Sequence, residues 1–331
     1  MGAGLLLAVT FTAVAALSVS ANNINGQCQI YNGSRIKCSC IGNEEFFLPD
    51  EYNYANIVSV TVAGCDSADL HYSSLTEATD LEEMIVQNIS GSLNFEVFIT
   101  STRIRTLRLS DIGRIPLITS DTFIRLASID TLMIENAHID RFEEDFSDIN
   151  MTHFSMRNVT VERMGRLNLS ENGKTLYIMN TELRNIATSL TFSNIGTIEI
   201  VGSKFRLQRP GLVSVLGGTV VVKDSVFSNA SMNLNAAVAT IRGVCADGKS
   251  ALRLSSKYID STDNQLPNEI VYLTRDNQPA RPDVNRNNTV CKAGNCKCPK
   301  ISGQQPCSTA CISLLVLGCL LTSFTLFRGF G

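Results

Sequence analysis

Cysteine is the most reactive residue type here, and eight of the eleven cysteines fall into two groups. Cys28, Cys38, Cys40 and Cys65 lie near the start; Cys245, Cys291, Cys296 and Cys298 lie near the end. Such groups either ligate a metal or form disulfides. No histidine follows the second group, and the secretory route oxidises thiols, so eight disulfide-bonded cysteines and no metal are expected. Spacing alone leaves their pairing open. Asn32, Asn88, Asn150, Asn158, Asn168, Asn229 and Asn287 each begin an Asn-x-Ser/Thr triplet, the acceptor for N-linked glycan.

The residues that usually do catalysis are not arranged for it. The histidines His71, His138 and His153 belong to no metal-binding helix motif, and the chain carries no nucleophile elbow, phosphate-binding loop or dinucleotide fingerprint. The acidic pairs Glu82-Glu83 and Glu143-Glu144 read as ordinary solvated charge. No enzyme and no cofactor is predicted. A net charge of −3 argues against a nucleic-acid partner.

The two ends are apolar. Residues 5–19 carry no charge and precede the small residues Val19, Ser20 and Ala21, which predicts a signal peptide over 1–21. Residues 310–327 form a second apolar run followed by a single basic residue, Arg328. A small-residue site at Ser302-Gly303, a polar spacer and this tail match a GPI signal over 303–331 with attachment at Ser302, or at Asn295 or Ser308. A single-pass helix is the alternative. Removing the tail discards Cys307, Cys311 and Cys319 and leaves an even set of eight. The expected location is the outer face of the cell membrane.

Between the ends a short pattern recurs: an apolar residue, any residue, an apolar residue, any residue, then Asn, Asp or Gly. Its copies are Val60-Val62-Gly64, Met84-Val86-Asn88, Leu107-Leu109-Asp111, Leu132-Ile134-Asn136 and Phe154-Met156-Asn158. Leu176-Ile178-Asn180, Ile198-Ile200-Gly202, Val220-Val222-Asp224 and a weaker Ala239-Ile241-Gly243 follow. Residues two apart on a strand point to one face, so each apolar pair points into a core. The last residue tolerates the left-handed backbone of a turn. One such coil cannot bury its apolar face alone, whereas a stack can.

These features predict a β-rich solenoid of about nine coils of 19–25 residues, with one parallel sheet. The middle coils resemble extracellular leucine-rich repeats: Phe123, Leu126, Ile129, Leu132, Ile134, Ile139 and Phe142 fall where that family places apolar residues. The family's Asn slot holds Ala137, with Asn136 one residue earlier. The later stretches TLYIMNTELRNI and TVVVKDSVFSNA resemble coils of a right-handed parallel β-helix, the alternative architecture. The first four cysteines resemble the cap before extracellular leucine-rich repeats. The expected organisation is an N-terminal cysteine cap over 22–56, the solenoid over 57–245, and a cysteine-containing cap or stalk over 246–302.

Outward strand positions should form columns down the sheet. One column reads Ser59, Glu83, Thr106, Thr131, His153, Thr175, Thr197 and Thr219. Its neighbour reads Thr61, Ile85, Arg108, Met133, Ser155, Tyr177, Glu199 and Val221. Strand propensity explains the threonines. It does not explain Ile85, Met133 and Tyr177 outside the core, with Arg108 and Glu199 among them. That face is the expected binding face, for an extracellular protein or glycan in an adhesion or co-receptor role. The other readings are a carbohydrate-active β-helix enzyme and a structural surface coat.

Overall fold

A computed structural model of the chain describes residues 22–298, less short loop stretches of which 71–74, 97–102 and 292–295 are the longest. It is a β-solenoid of about ten coils with one mostly parallel sheet. The front sheet begins with Arg35–Ser39 and Ser59–Cys65. It takes one segment from each later coil and ends on Leu252–Thr262 and Val284–Arg286. The apolar pairs read from the sequence, Val60 and Val62 through Ala239 and Ile241, all point inward with 2% exposure or less.

Every turn-forming residue of the repeat is left-handed: Gly64, Asn88, Asp111, Asn136, Asn158, Asn180, Gly202, Asp224 and Gly243 have φ between 47° and 74°. Here the chain leaves the front sheet for the second side of the coil. The side chains at this corner stack: Asn136 Nδ2 donates to Asp111 Oδ1 at 2.7 Å, and Asn158 Nδ2 donates to Asn136 Oδ1 at 2.8 Å. At Gly202 the backbone sits closest to the corner below it: an added Cβ would come within 2.4 Å of Asn180 Oδ1, so that side chain would have to shift.

The remaining sides carry strands. The second side pairs residues 204–206 with 226–228, and a third side pairs 211–217 with 230–236. A leucine-rich repeat carries a helix or 3-10 turn there. The described residues contain only the 3-10 turn Ser120–Phe123. The corner therefore falls at Asn136 because the chain turns into a second strand at that point. In the middle coils the core contains a run of aromatic rings, Phe95, Phe123, Phe146 and Phe154 lying 5.6–6.0 Å apart in succession.

The expected boundaries need correction at both ends. Arg35–Ser39, placed in the cap, is the first parallel rung, preceded by an antiparallel pair. Residues 246–290, read as cap or stalk, continue the solenoid: Leu252–Thr262 pairs with the coil before it and with Val284–Arg286 after it. The apolar pattern fades there because polar residues take the inward slots. Buried Asn264 donates Nδ2 to the Ile241 carbonyl and accepts the Val244 N–H, and Asn288 accepts the Asn264 N–H. Backbone pairing persists because these side chains satisfy the buried groups an apolar residue would leave to the ladder alone.

Each cysteine group pairs within itself. Cys28 bonds Cys38 across an antiparallel pair, and Cys40 bonds Cys65. Cys245 bonds Cys298 and Cys291 bonds Cys296. Both ends of the stack are thus covalently closed, which is where a solenoid lacks a neighbouring coil.

Candidate functional site

The front sheet brings the predicted columns together in register. Thr61, Ile85, Arg108, Met133, Ser155, Tyr177, Glu199 and Val221 are successive cross-strand partners. So are Ser59, Glu83, Thr106, Thr131, His153, Thr175, Thr197 and Thr219. At about 4.8 Å per rung, Ile85 and Glu199 lie about 24 Å apart along the rod. Arg108 and Glu199 are therefore not neighbours and share no chemistry.

Local contacts modify the expected roles. Arg108 is held by Glu135 on the next rung at 2.9 Å, so it is a paired charge rather than a free anchor. Ser155 sits between Met133 and Tyr177 in its column, is 7% exposed, and its hydroxyl has no hydrogen-bond partner among the described residues. On the same rung His153 Nδ1 lies 2.6 Å from Thr175 Oγ1. Met133, Ser155 and Tyr177 make an apolar strip over a small polar floor near the middle of the rod.

The second side carries a denser set of charges that sequence reasoning did not assemble. His138 Nε2 is 3.4 Å from Asp140 and 3.8 Å from Glu162, and Arg114 also pairs with Asp140. Arg184 pairs with Glu162 at 2.7 Å and with Glu182 at 2.9 Å. More than three charges thus converge on one face, the arrangement a carbohydrate-active enzyme would need. One carboxyl of this set is shifted, and downward. The hydrogen bond from Arg184 holds the Glu182 carboxyl below its ordinary range, against a smaller opposing effect of burial. A glycosidase acid requires a raised value. Among the described residues no group of three His, Cys, Asp or Glu side chains could hold a metal.

A third feature lies where the return loops meet the front sheet in the first coils. A cleft of about 720 Å³ is lined by Val58, Thr79, Asp80, Leu81, Glu82, Arg103, Arg105 and Asp130. A second hollow of about 300 Å³ adjoins it through Val58, Glu82 and Arg105 and reaches Arg35, Glu83 and Thr106. Arg105 pairs with Glu82 at 3.3 Å and Arg103 with Asp130 at 3.0 Å. Sequence reasoning took Glu82-Glu83 as solvated charge and missed this cleft. A signal was available: Glu82, Arg105 and Asp130 all occupy the slot just before the first outward column.

The asparagines of the seven Asn-x-Ser/Thr triplets occupy corners and edges. Asn88, Asn158 and Asn287 are left-handed residues at the corner after the front sheet; Asn32 and Asn229 are left-handed elsewhere. Asn150 is exposed at the start of Asn150–Met164, and Asn168 lies in the two-residue strand Asn168–Leu169. The predicted signal peptide, Ser302 and residues 303–331 lie outside the described residues. Compared with protein-family models, curated proteins and solved structures, the chain matches none.

Proposed function

We propose that this chain is a recognition rod displayed at the cell surface. It is secreted, N-glycosylated, held at the outer face of the membrane by its C-terminal apolar tail, and binds an extracellular protein or glycan through the front sheet. The observation that carries this reading is the unbroken register of the outward column from Thr61 to Val221, which presents Met133, Tyr177 and their neighbours on a rigid face. Four disulfides fit an oxidising compartment. The likeness to extracellular leucine-rich repeats adds the expectation of an adhesion or co-receptor role. With a GPI anchor, signalling would pass through a transmembrane partner.

Catalysis is the second reading, favoured only by the charge cluster around His138 and Glu162. The depressed Glu182 carboxyl is unsuited to the role of general acid, which that reading would have to place on another carboxyl. Two experiments test the first reading. Phosphatidylinositol-specific phospholipase should release the protein from intact cells; retention with a C-terminal epitope in the cytoplasm would replace the GPI anchor by a membrane helix. Met133→Asp with Tyr177→Asp should abolish adhesion of expressing cells to a cell monolayer while leaving the disulfides and thermal unfolding unchanged. Adhesion at the wild-type level would remove this face from consideration.

A further inference from the structure

We infer that the cleft before the front sheet, walled by Arg35, Glu82, Arg105, Arg103 and Asp130, is a binding site for a neutral oligosaccharide. The inference rests on the reading of the chain as a recognition rod and names a ligand class and a place on it that are separate from the Met133–Tyr177 strip.

The cleft and its adjoining hollow, about 720 and 300 Å³, are open depressions with room for part of a small polar ligand. Their walls are polar. Among the described lining residues only Val58 and Leu81 are apolar, and Leu81 is buried. A protein partner needs aromatic or aliphatic pockets for its anchor residues, and the described residues build none here. The ligand that fits must be polar along its whole length.

Charge narrows the class further. Arg35, Arg103 and Arg105 face Asp80, Glu82, Glu83 and Asp130, so cationic and anionic groups nearly balance. A polyanion or a polycation would meet repulsion from half of the wall. Hydroxyl groups meet none, because each accepts from a guanidinium and donates to a carboxylate. The Arg105–Glu82 pair leaves capacity for this. Arg105 gives one nitrogen to Glu82, and a guanidinium has five N–H donors. Glu82 and Arg105 line both hollows, so they stand at the centre of the site. The lining spans residues from the Arg35 rung to the Asp130 rung, four steps or about 19 Å at 4.8 Å each, which accommodates several sugar units. Among the described residues no aromatic ring lines the cleft, so these side chains hold the ligand by hydrogen bonds and each single site binds weakly.

The test uses the full chain on cells and, as probes, immobilised neutral tetrasaccharides with sialylated and sulfated counterparts, in 0.15 and 0.5 M NaCl. Wild-type protein should bind a neutral probe with less than twofold change between the two salts. Glu82→Gln and Arg105→Ala should each lower that binding about tenfold. Thr79→Trp, which fills the cleft without removing a charge, should do the same, while Tyr177→Asp leaves it intact. No neutral probe bound, binding only to sulfated probes with collapse in high salt, or binding insensitive to all three cleft variants would each overturn the inference. Binding lost in Tyr177→Asp but kept in the cleft variants would also overturn it while sustaining the front-sheet reading. Unchanged thermal unfolding of Glu82→Gln, whose side chain keeps its shape, separates lost contacts from lost fold.

Discussion

The side-chain amide of Asn158 donates to the side-chain oxygen of Asn136 one coil away, and both residues hold left-handed backbone, at φ 57° and 50°. The corner that ends each front strand turns the chain, and where Asn or Asp occupies it the side chain can also stitch one coil to the next by a hydrogen bond outside the backbone ladder. Glycine at the same corner, as at Gly64, Gly202 and Gly243, does the first job alone.

Asn136 separates the two jobs, because it donates to Asp111, accepts from Asn158 and is not a glycan acceptor. Asn136→Gly keeps the backbone and loses the hydrogen bonds; it should cost about 1 to 2 kcal/mol. Asn136→Ala loses the same hydrogen bonds but, unlike Gly, keeps a Cβ in left-handed geometry without the polar side chain that lets Asn hold it, and should cost about 1 to 2 kcal/mol more than Asn136→Gly. Denaturant midpoints of the two variants check this. Equal losses would mean that backbone geometry contributes nothing at the corner.

This corner also explains how much of the fold was legible. An inward pair followed by Asn, Asp or Gly is a local pattern with a local cause, so the front strands and both outward columns could be placed to the residue. Arg35–Ser39 escaped because its inward residues are Ile36 and Cys38, and the cysteine drew attention to capping instead. The last coils escaped because Ser261 and Asn264 stand where apolar residues stood before. The charge cluster and the cleft escaped for another reason. His138 and Glu162, or Glu82 and Arg105, become neighbours only when successive coils stack, and no single coil announces the pairing.

Polar inward slots make a prediction of their own. Buried Ser203 accepts the Thr181 N–H at 3.2 Å and donates to the carbonyls of Val201 and Ile178. Its own N–H donates to Ser225 Oγ at 3.2 Å. Ser203→Ala keeps the volume nearly unchanged but strands the Thr181 N–H, at about 1 to 3 kcal/mol. Hydrogen exchange should quicken at Thr181 and stay unchanged at Ile112, whose coil fills the same slot with an apolar side chain. Uniform quickening along the rod would contradict a local role.

The Cys245–Cys298 bond closes a loop of 53 residues, which chain entropy values at about 4 kcal/mol. Its removal should be felt at one end, since each coil touches only its neighbours. In Cys245→Ser with Cys298→Ser, limited proteolysis should cut first beyond Arg242 and leave a resistant fragment containing the earlier coils. Simultaneous loss of all coils would show that the rod unfolds as one unit.

Acid should loosen the second side before the rest. Arg184 hydrogen-bonds Glu182 and lowers its carboxyl below the ordinary value of 4.5, with further lowering from Lys204 and Arg206. A carboxylate depressed on folding stabilises the folded state above its unfolded value, and that stabilisation is lost as pH falls through the folded value. The denaturant midpoint of the wild-type protein should therefore decline as pH drops below about 4.5, while Glu182→Gln starts lower at pH 7 and loses less over the same interval. Partial exposure of the pair keeps the effect modest. Parallel curves for the two proteins would show that Glu182 carries no such linkage, and the Arg184 pair would then be a surface contact without consequence for folding.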